Sequence, residues 1–390
     1  MTTTLLTFLG RLPGKERAYR KTSYDFGNGD FSEPVAFFGW ALQQRVKADR
    51  VVIMGTAGSM WDHLFESADF AFGAEAEEAR LRLLDATEEK AVAAEILAPL
   101  QDPLSKRVGR ETRLVIIPYC RTERQQIELL GIMARHVESG ATVHIDVSHG
   151  FRHLPMIALV AALHLQVTRK ADIGGIWYGG YDPETGEAPV HNLVGLLRIV
   201  DWIKALYTYD KDGDYSVFQP LLGPASDFLV RAAFFERTSN VVKAREALST
   251  WSSLPDRFMG NDPATVLFRE ELEQRVCWFR MPDRASWEKE LARRYLKQRD
   301  YVRAAIYGLE ALITARIIES SGNPSDCARR DAVRKELKTL IGETFQELNH
   351  LRNCLAHGFV PPNNKIARAL EDETQLREAL EKLFRELLGP

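Results

Sequence analysis

Short, almost unbroken apolar runs alternate with helical periodicity through the first half of the chain. Thr4–Leu9, Arg50–Met54, Arg113–Pro118, Thr142–Val147 and Asp172–Tyr178 read as strands. Between them, Pro34–Val46, Glu123–Glu138 and Leu154–Thr168 repeat apolar positions at helical spacing. Glu75–Pro99 is helix-rich and acidic, an expected insertion over the sheet. Strands with no polar alternation are buried on both faces, and intervening helices are what covers them. The pattern therefore predicts an α/β domain with a mainly parallel sheet.

After Gly195 the strand signals stop. Gly195–Tyr209, Phe218–Ser249, Ala264–Trp278, Ser286–Ser320, Asp326–Leu340, Glu343–His357 and Asn364–Leu388 read as helical. Breaks fall at Gly213, Pro255, Gly260–Asn261, Pro282, Gly322–Asn323–Pro324, Gly342 and Pro361–Pro362. Two domains are expected, an α/β domain over 1–200 and an all-α domain over 201–390.

Composition changes this picture little. The 390 residues are 45% hydrophobic and 27% charged, with a formal net charge of −3. That is the profile of a folded chain, and a local basic groove is compatible with it. Cys120, Cys277, Cys327 and Cys354 show no zinc-ligand spacing, so reduced, mostly buried thiols and no metal site are expected. The start lacks the pattern of a signal peptide, and no stretch approaches the roughly 20 apolar residues of a membrane span. A cytoplasmic protein without membrane contact is expected.

In doubly wound sheets, ligands bind beyond the carboxyl ends of the strands. That rule selects Gly10 and Arg11 after the first strand, and Thr56, Gly58, Ser59, Met60 and Trp61 after the second. After the fourth it selects Ser148, His149, Gly150 and Arg152, followed by Pro155 in the first turn of a helix. Glycines let backbone N–H groups approach an anion, and hydroxyls and arginine add donors. Taken singly, Gly55–Gly58 also reads as a tight turn and His149 as a packed histidine. No GxGxxG or GxxxxGK[ST] motif is present, which weakens dinucleotide and P-loop readings.

Leu9–Gly10, Gly55–Asp62 and Asp146–Arg152 together resemble the CARF domain, the Rossmann-like sensor of type III CRISPR accessory proteins. Ser148–His149–Gly150 stands where that family usually has Thr-His-Gly. The resemblance implies that two such domains pair and bind one cyclic oligoadenylate. Cyclic tetra-adenylate is the family's commoner choice, and the sequence leaves the ring size open.

In the helical half, Arg352, Asn353 and His357 stand at a helix end stopped by Gly358 and Pro361–Pro362. Asn353 and His357 share a face, whereas Arg352 lies about 140° round from His357, so two facing copies would be needed for one groove. Histidine titrates near neutrality and arginine offers fixed donors to developing anionic charge, the needs of RNA cleavage by the neighbouring 2′-OH. Arg, Asn and His at a helix end also occur without function. The set resembles the HEPN ribonuclease motif, and its pairing with the sensor resembles the CARF–HEPN ribonucleases. That resemblance implies a cyclic oligoadenylate-activated, metal-independent endoribonuclease cutting single-stranded RNA in type III CRISPR antiviral defence, as a homodimer or higher oligomer. A non-enzymatic sensor or adaptor is the alternative, as is a sensor that degrades its own ligand.

Other features read more plainly. Arg293–Arg294 and Lys297–Gln298–Arg299 form a solvated helix face or an RNA contact. Trp278 and Trp287 read as packing anchors, and Tyr178 as a core residue or an adenine platform.

Overall fold

Strand β1 (Thr3–Leu9) has no exposed residue, because its apolar side chains serve two layers at once. Leu6 and Phe8 pack into a cluster on one face of the sheet, and Leu5 and Leu9 into another on the opposite face. This computed structural model describes residues 2–11, 21–65, 74–182, 184–254 and 262–389. The breaks read at Pro255 and Gly260–Asn261 lie outside the described residues, as does the side chain of Glu75.

The chain divides into two units, Met1–Leu197 and Arg198–Pro390. In the first, β1 is joined by β2 (Arg50–Gly55), β3 (Glu111–Ile116), β4 (Thr142–Asp146), β5 (Asp172–Gly179) and β6 (Val190–Asn192). The order is β3-β2-β1-β4-β5-β6, with all pairings parallel except the antiparallel β5–β6 edge. The order in which strands are added therefore reverses between β1 and β4, which creates a crevice at their carboxyl ends.

One face is covered by α1 (Phe38–Val46), α2 (Ala74–Glu89) and α3 (Ala94–Val108), the other by α4 (Glu123–Arg135) and α5 (Leu154–Thr168). The acidic segment read as an insertion is instead the crossover from β2 to β3. Its Leu83, Leu97, Leu100 and Leu104 are buried in the same cluster as Val51 and Ile53. Helix α3 also runs past Pro99 and Pro103, ending at Gly109 in a left-handed cap.

The second unit contains helices and no strand among its described residues. Its α-helices are α6 (Gly195–Asp212), α7 (Ser226–Arg237), α8 (Val241–Ser252), α9 (Pro263–Val276), α10 (Arg284–Lys297), α11 (Tyr301–Glu319), α12 (Cys327–Leu340), α13 (Glu343–His357), α14 (Asn364–Ala369) and α15 (Glu373–Leu388). Three segments read as single helical stretches are broken. Ser239 and Arg299 take left-handed φ of 58° and 63°, and Asn240, Asp300 and Asp372 cap the helices that follow. Helix α11 forms the centre, with ten residues between Ala304 and Ile317 buried.

Beside α11 lies a polar knot. Buried Glu236 accepts hydrogen bonds from Tyr215 at 2.6 Å and from Tyr295, and Trp278 donates to Tyr215 at 2.7 Å. All four cysteines are free thiols, and only Cys120 and Cys354 are buried, fewer than expected. Among the described residues, no helix is long and apolar enough to cross a membrane.

Candidate functional site

The β1–β4 crevice holds a pocket of about 280 Å³. Its walls begin with backbone. A Cβ on Gly10 would stand 2.7 Å from Gly150 N, so two strand-end loops meet with no room for a side chain between them. Gly150 itself has φ +104°, a conformation open to glycine, and a Cβ there would meet Leu154 at 2.6 Å.

Side chains behind this wall hold it in place. Ser59 Oγ donates to Leu9 O at 2.7 Å and accepts from Thr56 N at 2.9 Å. Fully buried Trp61 donates Nε1–H to Thr56 O at 2.9 Å, and Ser148 Oγ accepts from Gly179 N at 2.7 Å. His149 Nε2 accepts the Phe38 N–H at 3.2 Å, a bond that a protonated ring nitrogen cannot make. Burial holds His149 below the usual histidine range, against the pull of the neighbouring Asp146 carboxylate. Asp146, itself fully buried, is raised by that burial although Thr7 Oγ1 donates to it at 2.6 Å and Ser148 N at 2.8 Å.

Of the residues read as ligand-facing, Gly10, Arg11, Thr56, Gly58, Ser59 and Gly150 line the pocket. Met60, Trp61, Ser148 and His149 do not: Met60 and Trp61 are buried, and the other two face the scaffold through the bonds just described. Arg152 is exposed outside it. The lining also includes Lys90, Tyr119 and Arg121, which the sequence reading missed. Tyr119 and Arg121 follow β3, so the strand-end rule that selected the other loops extends to them. Lys90 carries no sequence signal; it follows α2 in a left-handed conformation, φ 59°.

These side chains give the pocket charge and ring surface. Arg11 Nη1 donates to Gly58 O and to Thr87 O, both at 3.0 Å, tying the first loop to the second. The Arg121 guanidinium lies 4.9 Å from the Tyr119 ring centre, and that ring lies 5.9 Å from Phe151. Three cations, two aromatic rings and close backbone approach suit an anion that carries flat bases. Tyr178, by contrast, stacks on His191 at 6.3 Å.

In the second unit, Gly358 takes φ 65° and donates its N–H to Cys354 O at 2.9 Å, which ends α13. His357 is therefore the last helical residue, exposed, with its ring centre 5.2 Å from Phe359. Asn353 and Arg352 are half-buried. Burial lowers Arg352 from the usual arginine value, Arg334 adds to that, and Glu310 opposes it. Glu310 is already paired with Arg330 and with Arg334 at 3.2 Å. No hydrogen bond or ring contact joins Arg352 to His357 among the described residues, as their angular separation on one helix requires.

Residues 4–180 match the family model described as CRISPR system endoribonuclease Csx1, CARF domain. The CRISPR-associated protein MJ1674 of Methanocaldococcus jannaschii is 24% identical over 224 residues, which cover 53% of this chain and 35% of that protein. The chain thus spans about a third of the length of that curated relative.

Proposed function

From the premise that this chain is a CARF-containing CRISPR-associated protein, we propose that it is a cyclic oligoadenylate-activated endoribonuclease cutting single-stranded RNA without a metal ion. The observation that carries the reading is a CARF match over residues 4–180 in the same chain as Arg352, Asn353 and His357 at an accessible helix end. In the first unit, Arg11, Lys90 and Arg121 meet the phosphates, and Tyr119 and Phe151 meet adenine. At about 280 Å³ the pocket is small for a whole cyclic oligonucleotide, which favours a ligand shared by two copies. Helix α5 also exposes Met156, Val160 and Val167, an apolar stripe suited to pairing.

In the second unit, the chemistry follows from the side chains. His357 takes the 2′-OH proton or protonates the departing 5′-oxygen; its copy in the paired chain performs the other task. The 2′-oxygen bonds to phosphorus, the P–O5′ bond breaks, and a 2′,3′-cyclic phosphate and a 5′-hydroxyl result. Arg352, with the Arg334 charge beside it, meets the charge that develops on the phosphoryl oxygens. Asn353 orients the phosphate or the histidine. Activation requires that the ligand bind the cutting arrangement more tightly than the resting one.

The test is cleavage of a fluorogenic RNA with cyclic tri-, tetra- and hexa-adenylate supplied separately, in EDTA, with mapping of product ends. Cleavage with one ring size, leaving cyclic or 3′-phosphate ends, is expected, with cyclic tetra-adenylate the first candidate. Products ending in 3′-OH, a strict magnesium requirement, or ligand-independent cutting would overturn the reading.

A further inference from the structure

Helices α10 and α15 frame a cleft of about 570 Å³ whose charge departs from that of the chain. Arg293, Lys297, Arg299, Arg377 and Arg385 line it against the single carboxylate of Glu381. The whole chain, in contrast, carries 51 basic and 54 acidic residues. Five to one is therefore a local concentration and not a reflection of composition.

The arrangement follows from helical spacing. Arg293 and Lys297 are one helical turn apart on α10, and Arg377, Glu381 and Arg385 succeed one another at the same interval on α15. Each step rises about 6 Å, so both rims carry charge at a regular repeat. Leu296 and Phe384 form the floor, and Phe384 is locked against Gly308 of α11, where a Cβ would stand 2.6 Å from its ring. Arg294 and Gln298, which lie in the same stretch of sequence, point elsewhere: Arg294 bonds Glu290 and Gln298 bonds Tyr209 O.

The carboxylates nearby neutralise little of this. Arg299 pairs with Glu373 at 3.6 Å and Arg377 with Glu381 at 3.7 Å, both exposed pairs of the kind that contribute little. Lys297 and Arg385 have no ion-pair partner among the described residues, and Arg293 donates only to Gly389 O. Next to the rim, burial lowers the Lys289 ammonium from its usual value, and the Arg293 charge adds to this. The helices thus hold five cations together beside two exposed carboxylates, Glu373 and Glu381.

We propose that this cleft is a second RNA contact, a track for the phosphodiester backbone of single-stranded RNA separate from Arg352 and His357. The proposal rests on the reading of RNA as substrate. Cations on both rims, about 6 Å apart on α10 and about 12 Å apart on α15, suit a polymer with one charge per repeat, and the floor offers no polar group for reading bases. Contact is therefore to phosphates and independent of sequence.

The experiment measures fluorescence anisotropy of a labelled oligouridylate with the full-length His357→Ala protein, with and without Lys297→Ala and Arg385→Ala, over a range of salt. Losing two phosphate contacts is expected to weaken binding about tenfold at low salt and to reduce the log–log salt slope by about 1.4. Circular dichroism checks the fold, and Lys211→Ala with Arg231→Ala controls for bulk charge. Unchanged affinity and slope, an equal loss in the control, or no RNA binding by the parent protein overturns the cleft assignment. Displacement of RNA by polyglutamate as readily as by unlabelled RNA also overturns it, in favour of an acidic protein partner. Expected losses in a protein that never cuts RNA would keep the cleft and defeat the ribonuclease reading. Cutting by the wild-type chain with unaltered binding in the variant would defeat the cleft alone.

Discussion

At the pocket of the first unit, Thr56, Ser59, Ser148 and His149 are consumed by hydrogen bonds to the scaffold, whereas at the end of α13 in the second, His357 stands exposed. The units also differ in what they bury. Burial lowers His136, His144 and His149 in the first, and raises the carboxyl groups of Glu236 and Glu288 in the second. A parallel sheet converges several loops on one crevice, so backbone can make the site and polar side chains can hold it rigid. A helix end offers one turn of side chains, so any chemistry placed there must come from those side chains themselves.

The sharpest way to break this comparison is to truncate on each side. His357→Ala is expected to reduce RNA cleavage by about 10²- to 10⁴-fold with cyclic oligoadenylate affinity unchanged, since it removes a proton carrier at an exposed position. Single-turnover cleavage and calorimetry check this, and wild-type rates would remove His357 from the mechanism. In the first unit, Arg121→Ala should weaken ligand binding by about 10- to 150-fold, the loss of one charge-assisted contact. Arg152→Ala, outside the pocket of its own copy, should cost less; an equal loss would place Arg152 on the ligand.

Gly10→Ala should act through backbone alone. Its Cβ would stand 2.7 Å from Gly150 N, so the loops must part, at a cost of about 1–3 kcal/mol in stability. Gly58→Ala would meet only the Tyr119 hydroxyl at 2.6 Å, the far end of a side chain that can swing. Thermal melts of the two variants should therefore differ, and equal melting temperatures would show that the Gly10–Gly150 approach is not rigid.

The smallest effect is on pH dependence, and it should differ in sign between the units. Histidines held below their usual 6.5 stabilise the fold above that pH, and this is lost as pH falls, because the unfolded chain takes up protons first. Asp146, raised by burial, works in the opposite sense, but three histidines face one carboxyl group. Glu236 and Glu288, raised above their usual 4.5, favour folding most at low pH and lose that contribution as pH rises through their folded values. Hydrogen exchange, corrected for intrinsic rates, should show the first unit loosening and the second holding or tightening between about pH 7.5 and about pH 5.5. Loosening of both together would contradict the comparison.

The sheet was legible because β1 and β2 are buried on both faces and so lack sustained polar alternation. The edge strand β6 was not, since three residues carry no period. The helix breaks at Ser239 and Arg299 escaped because neither left-handed residue is glycine. In the pocket the glycine loops were legible from position, whereas Trp61 and His149, read as ligand-facing, bond the scaffold and do not line the pocket. A side chain that braces a strand-end loop and one that faces the ligand occupy the same stretch of sequence, and only packing separates them.

The central claim is that the pocket at the β1–β4 crevice governs cleavage at α13. It is tested most directly by paired titrations of a Lys90→Ala, Arg121→Ala protein, with ligand binding by calorimetry and RNA cleavage against activator concentration. The account predicts that the activation midpoint rises by the same factor as the dissociation constant, with the rate at saturation retained. Lost cleavage at unchanged affinity, or weakened binding with an unmoved midpoint, would contradict it.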